Sequence, residues 1–400
     1  MNHMNNEYSP LVLNNGEMMP HSQLGGGKND ELQSQTITWL RFPLALLVIY
    51  IHSFGTPLTN SPDFGMAIYD NVRIFFSHII SRVSVSAFFV MSGFLLFYRV
   101  DEFSKNVYIK KMKSRFKTIL VPYLMWNAIY ILQVVGFKFA KMSIMHQETD
   151  ILGYFSEHGW LNMFWSCNVW PFRTSWFGWE MPSSGPILVP MWYLRDLMVC
   201  LLLSYIVYNL IKRFGLWYLG ILFFCSISGL WPSVPGLSAG GLLYFSIGAF
   251  MAINHKNLLA EFNKYKQIVL PVTLFLTVLM IYFKSDFTKT GVMIYPVFVF
   301  FAVISTFILA GYLVQRGGWF SRQPRIFSRA SFFVYASHTV LILGYCSKLM
   351  HNLLPGSNPA VLTVTYLLTP ILCATVCVAM YYLMSRFTPR TLSLLTGNRS

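Results

Sequence analysis

The chain has 400 residues, 55% of them apolar and only 11% charged, where a soluble domain carries roughly 25% charged residues. Apolar stretches recur to the end of the chain, which excludes both a soluble protein and a soluble domain on a single anchor. The net charge of +15 would suggest nucleic acid in a soluble protein, but Lys and Arg gathered in cytoplasmic loops account for it, and no nucleic-acid partner is expected.

Residues 1–35 are polar, with Asn, Gln, Ser and a run of glycines at 25–27. No short apolar core precedes a small-residue cleavage site, so this stretch reads as a disordered cytoplasmic tail and not as a signal peptide. From there to residue 385 the expectation is one all-α, polytopic domain of about ten transmembrane helices. The apolar segments fall at 37–56, 80–98, 118–138, 186–211, 214–231, 240–254, 267–283, 291–314, 330–349 and 360–385. Residues 386–400 are expected as a second cytoplasmic tail. Charge checks the count: the connection 99–117 holds seven Lys and Arg, and every second connection after it is basic. By the positive-inside rule both termini lie in the cytoplasm. Five of the six cysteines sit in apolar runs and no Cys-x-x-Cys occurs, so neither a disulfide nor a metal site is expected.

The first segment carries an arginine at one end and a histidine at the other. Arg41 and His52 are eleven residues apart, and at about 100° per residue eleven steps return close to the starting face. The two groups then share one side of a helix, separated by about 16 Å along its axis. A phosphate-bearing donor needs a cation at its charged end and a base of near-neutral pKa at its reactive end, which histidine supplies. Three turns of separation suit a long thin donor such as an acyl thioester on a pantetheine arm. A structural histidine, hydrogen-bonded to a neighbouring helix, is the competing reading.

The connection 139–185 is expected on the outer side. It holds Trp160, Trp165, Trp170, Trp176 and Trp179 with Glu157, His158, Arg173 and Glu180. Interfacial tryptophan explains this composition, and so does a platform of flat rings against sugar faces. Arg195 and Asp196 in the fourth segment can neutralise each other, and Arg82 in the second can pair with Asp196 or line a cavity.

Several further motifs follow in order: Phe88-Phe89-Val-Met-Ser92-Gly93-Phe94, a basic run from Lys110 that ends in Pro122-Tyr123, then Trp192-Tyr193-Leu194 and Tyr335-Ala-Ser-His338. With Arg41 and His52 ahead of them, this ordered set resembles the membrane-bound acyltransferase family 3 over residues 36–385. One departure is Lys117, where the family carries a second arginine; lysine binds phosphate as a point charge and lacks the bidentate fork. The resemblance implies an integral membrane O-acyltransferase taking a short acyl group, with acetyl the leading expectation, from cytoplasmic acetyl-CoA or another short acyl-CoA to a hydroxyl of a lipid-linked or cell-surface glycan. It implies His52 as the catalytic base and Arg41, Arg115, Lys113 and Lys117 as holders of the CoA phosphates. Ser92, Trp192, Tyr193 and His338 are candidates for substrate contact or support, although Ser92-Gly93 also suits close helix packing and the two aromatic residues also suit a packing role. The bilayer, the glycan and acyl-CoA are the expected partners, and the expected location is a cell inner (plasma) membrane. A transporter or flippase of a lipid-linked glycan is the alternative, weakened by the lack of an evident inverted repeat.

Overall fold

A computed structural model describes residues 27–146, 150–174, 180–232, 234–318 and 325–398. The expected tail lies outside the described residues as far as residue 26. So do Trp176 and Trp179, and the side chains of Trp170, Arg173 and Glu180.

The helices are α1 (Lys28–His52), α2 (Phe64–Arg73), α3 (Val83–Phe97), α4 (Lys105–Arg115), α5 (Val121–Ile144) and α6 (Ile151–His158). A hairpin of β1 (Asn168–Thr174) and β2 (Glu180–Gly185) follows, antiparallel, with Asn168 opposite Gly185. Next come α7 (Trp192–Leu202), α8 (Ser204–Phe214), α9 (Leu216–Ser228), α10 (Ala239–Ile253), α11 (Leu258–Asn263), α12 (Lys266–Tyr282) and α13 (Lys289–Arg316). The last four are α14 (Arg325–Ser337), α15 (Leu343–Leu353), α16 (Pro359–Phe387) and α17 (Pro389–Thr396).

Each of the ten apolar segments falls on one or more of these helices. Among the described residues, six continuous helical stretches are long and apolar enough to cross a bilayer, and seven if α7 and α8, bent by 62° at Leu203, count as one. The other three, α9, α10 and α12, have 13, 15 and 17 residues. At about 1.5 Å per residue none of them alone reaches across a core about 30 Å thick. The fold is therefore an all-α multi-pass membrane protein carrying one small hairpin.

Side chains at the starts of helices explain where several begin. Asp63, Ser104, Asp150, Ser238, Asn257, Thr288 and Asn358 each accept a backbone N–H from the first turn they precede. The first helix starts at Lys28, nine residues before the apolar segment, because its polar first turns are docked: Gln33 accepts the Leu258 N–H at 2.5 Å and Asn257 donates to Asp30 at 3.0 Å. Glycine sets the tightest crossing. A Cβ at Gly93 would collide with the Phe245 carbonyl, and one at Gly248 with the Val90 carbonyl, so α3 and α10 meet backbone to backbone. This assigns Gly93 to packing. At the other end of the chain, α17 lies against α5. The Trp126 indole donates to the Leu395 carbonyl at 3.0 Å, and Gly397, in the left-handed region at φ 64°, abuts Thr118.

The long connection is not a plain loop. Phe155, Met163 and Ile187 form a small core of their own, packed on Tyr130 and Ile131 of α5. Trp160 stacks on Phe155 at 4.1 Å while remaining mostly exposed.

Candidate functional site

Two helices that run side by side in the same direction build the centre of the site. Near their starts, Phe42 of α1 stacks on Phe327 of α14 at 4.7 Å, and Ser328 donates to the Thr38 carbonyl at 3.2 Å. Ten residues on from Phe42 is His52, and eleven on from Phe327 is His338. Equal rise per residue carries both histidines to the same level, where their rings stand 5.3 Å apart, tilted by 45°.

The surroundings of these two rings differ. His338 is fully buried. Its Nδ1 lies 2.8 Å from the Tyr335 carbonyl and 3.2 Å from that of Val334. Carbonyl oxygens only accept, so Nδ1 carries the hydrogen and, in the neutral ring, Nε2 carries a lone pair. That Nε2 is buried without a hydrogen-bond partner among the described residues. Directly after it the helix breaks: Val340 leaves helical geometry and Leu341 sits at φ 67°, a strained position for a leucine. His52 ends α1. It is half-buried, with its ring against that of the fully buried His338.

The chain leaving His52 is held by a polar network. The buried Arg73 donates to the carbonyls of Phe54 at 3.1 Å, Thr56 at 2.9 Å and Pro57 at 3.1 Å, and pairs with Asp70 at 2.6 Å. Asp70 in turn accepts the Thr59 N–H and hydroxyl at 2.8 and 2.6 Å. Sequence reading passed over Arg73 and Asp70, because the charged stretch preceding residue 80 reads as a connection. Their spacing of three, which puts both on one helical face, was the available signal.

Arg82 does not pair with Asp196. The carboxylate of Asp196 is taken by Arg195, whose Nε and Nη2 donate to it at 3.0 and 2.9 Å, and by Ser238. Arg195 also donates to the Trp165 carbonyl at 2.6 Å, fastening the long connection to α7. Arg82 instead donates to His78 Nδ1 at 3.3 Å and lies within electrostatic range of His52.

The arginines at the other end are placed differently from their neighbouring lysines. Arg41 and Arg115 are each enclosed by protein but keep accessible surface. No hydrogen bond or ion pair joins either to a described residue; Arg115 has Tyr193 in electrostatic range. Lys113 and Lys117 lie on the exposed side of the same segment, and Lys111 donates to the Leu96 carbonyl at 2.8 Å. Ser92 and Tyr193 share a hydrogen bond of 3.1 Å. Tyr193 also packs on Phe89 at 4.8 Å and on Tyr335 at 6.0 Å, and Tyr335 donates to the Pro190 carbonyl. Through Tyr335 this cluster joins the helix that carries His338. Trp192 is half-buried at the edge of the main core.

Fold and site together define a multi-pass helical membrane protein with paired histidines and half-buried arginines within one bundle. Residues 35–384 match the profile of the acyltransferase domain family, and the chain belongs to this family, acyltransferase family 3. Membership makes it an acyltransferase, the first of the two readings of the sequence. Among its relatives is the succinoglycan biosynthesis protein ExoH of Rhizobium meliloti (strain 1021), 24% identical over 378 residues, which cover 92% of this chain and 93% of the relative. No solved structure matches the chain.

Proposed function

We propose that this protein moves a short acyl group, acetyl being the simplest, from cytoplasmic acyl-CoA to a hydroxyl of a lipid-linked or cell-surface glycan. The observation that carries this reading is the pair of half-buried arginines, Arg41 and Arg115, without a carboxylate partner among the described residues. An uncompensated guanidinium within a membrane protein is costly, and an arriving anion relieves that cost. Arg41 and Arg115 would take the CoA phosphates, with Lys113 and Lys117 attracting the nucleotide from outside. The pantetheine arm would run along α1 to His52, about 16 Å further on.

His52 then takes the acceptor hydroxyl proton as the oxygen attacks the thioester carbonyl. The carbon–oxygen bond forms, the carbon–sulfur bond breaks, and the proton passes to the departing CoA thiolate. Arg82, which acts electrostatically on His52, would offset the negative charge that develops on the carbonyl oxygen. Ser92, Tyr193 and Trp192 would shape the space between donor and acceptor. The glycan acceptor is supported by the biosynthetic role in the relative's name. Ten crossings with both termini in the cytoplasm of a bacterial inner membrane suit the alternation of basic connections. The parallel course of α1 and α14 supports it as well, since both are odd-numbered crossings in that count.

Titration of the purified protein with acyl-CoA tests the donor site. One charge-assisted contact contributes about 1.5–3 kcal/mol, so Arg115→Ala should weaken binding by about tenfold or more. Unchanged affinity would remove Arg115 from the donor site.

A further inference from the structure

We infer that His338 is a positioning residue: it accepts a hydrogen bond from His52 during transfer, thereby choosing which His52 nitrogen meets the acceptor. This rests on the reading of His52 as the base. The geometry supplies three reasons. First, the Nδ1–H of His338 is committed to the Tyr335 and Val334 carbonyls, which leaves its Nε2 able only to accept. Second, that atom is buried and unpartnered among the described residues, a state that costs free energy unless a donor reaches it. Third, the neighbouring ring is His52, 5.3 Å away between centroids. No hydrogen bond joins the two rings in this geometry, and a turn of the His52 ring brings an N–H toward the lone pair. Catalytic hydrogen bonds are commonly long before substrate binds.

The same arrangement deals with the proton. When His52 takes the acceptor proton on one nitrogen, its other N–H leans on His338 Nε2. Positive charge shared with His338 is stabilised by the two carbonyls at the C-terminal end of α14, where a cation is favoured. The proton then returns through His52 to the CoA thiolate, so nothing is gained or lost over the cycle. The break after His338 serves this arrangement by ending α14 at the level of His52.

His338→Asn separates positioning from a merely structural role. The asparagine amide can still donate to the helix-end carbonyls, as Nδ1–H does, but it has no acceptor in the place of Nε2. The expected result is a kcat at least tenfold lower with the KM for acyl-CoA within twofold of wild type. His338→Gln, which reaches to the Nε2 position with an acceptor, should recover part of the loss. Wild-type kcat in His338→Asn would overturn the proposal. Solid-state nitrogen NMR of the wild-type protein gives a test independent of any variant. His338, assigned through its link to Ser337, should be the Nδ1–H tautomer, and an Nε2–H tautomer would overturn the proposal equally. An active His52→Ala would instead sink the reading of His52 as base, which keeps the two failures distinct.

Discussion

Single residues carry the charge balance of this bundle, and they fall into two kinds. Arg73 and Arg195 are buried cations that the protein has satisfied itself, each with an adjacent carboxylate and with carbonyls of a connecting segment. Arg41 and Arg115 are enclosed cations without such partners among the described residues, and the donor reading depends on that contrast. Asp196→Ala should behave as a fold mutation, because it strands the buried Arg195. A stability loss of about 3–5 kcal/mol, read as a lowered melting temperature in detergent, is the expected outcome. An unchanged melt would show that Trp165 alone satisfies Arg195. At this scale the sequence was informative about α1 itself, which is helical from Lys28 to His52 and carries both Arg41 and His52. It said nothing about His338 meeting His52. The two are 286 positions apart, and no local pattern encodes which distant helix lies alongside α1.

At the scale of elements, the helices that bear the site are held by close backbone contact and interrupted at useful places. Wide π-type turns occur at Ile74–Ile79, beside His78 and Arg82, and at Phe116–Leu120, beside Arg115 and Lys117, while the helical path breaks just after His338. Such turns frequently mark functional positions in otherwise regular helices. The α3–α10 crossing fixes Ser92 relative to the rest. Gly248→Val should force these helices apart, since its Cβ has no room beside the Val90 carbonyl. The measurable result is loss of a monodisperse peak in fluorescence size-exclusion chromatography, and a wild-type profile would show that the crossing yields. Hydropathy located the apolar helices, because runs of apolar residues are a one-dimensional signal, but it began the second at 80 where the helical span starts at Phe64. It placed the start of α1 at 37 and not at 28, since polar residues there are satisfied by α11 and its cap and not by lipid. The hairpin at 168–185 was read as a connection for a related reason: its aromatic and polar residues carry no clean alternation.

Viewed whole, the molecule puts Arg41 about three helical turns along α1 from the histidine pair, which stands beside the Arg73 network and the strained turn at Leu341. A donor that is anionic at one end and reactive at the other fits that polarity, and a small symmetric solute does not. Family membership fixes acyl transfer as the chemistry; the layout of charge and base suggests how the donor lies. The most direct test reconstitutes the purified protein in liposomes with acyl-labelled CoA and a lipid-linked glycan acceptor, and compares wild type with His52→Ala. Label should enter the glycan with the wild type and not with the variant, while both bind acyl-CoA equally. Transfer by the variant at the wild-type rate would contradict the account.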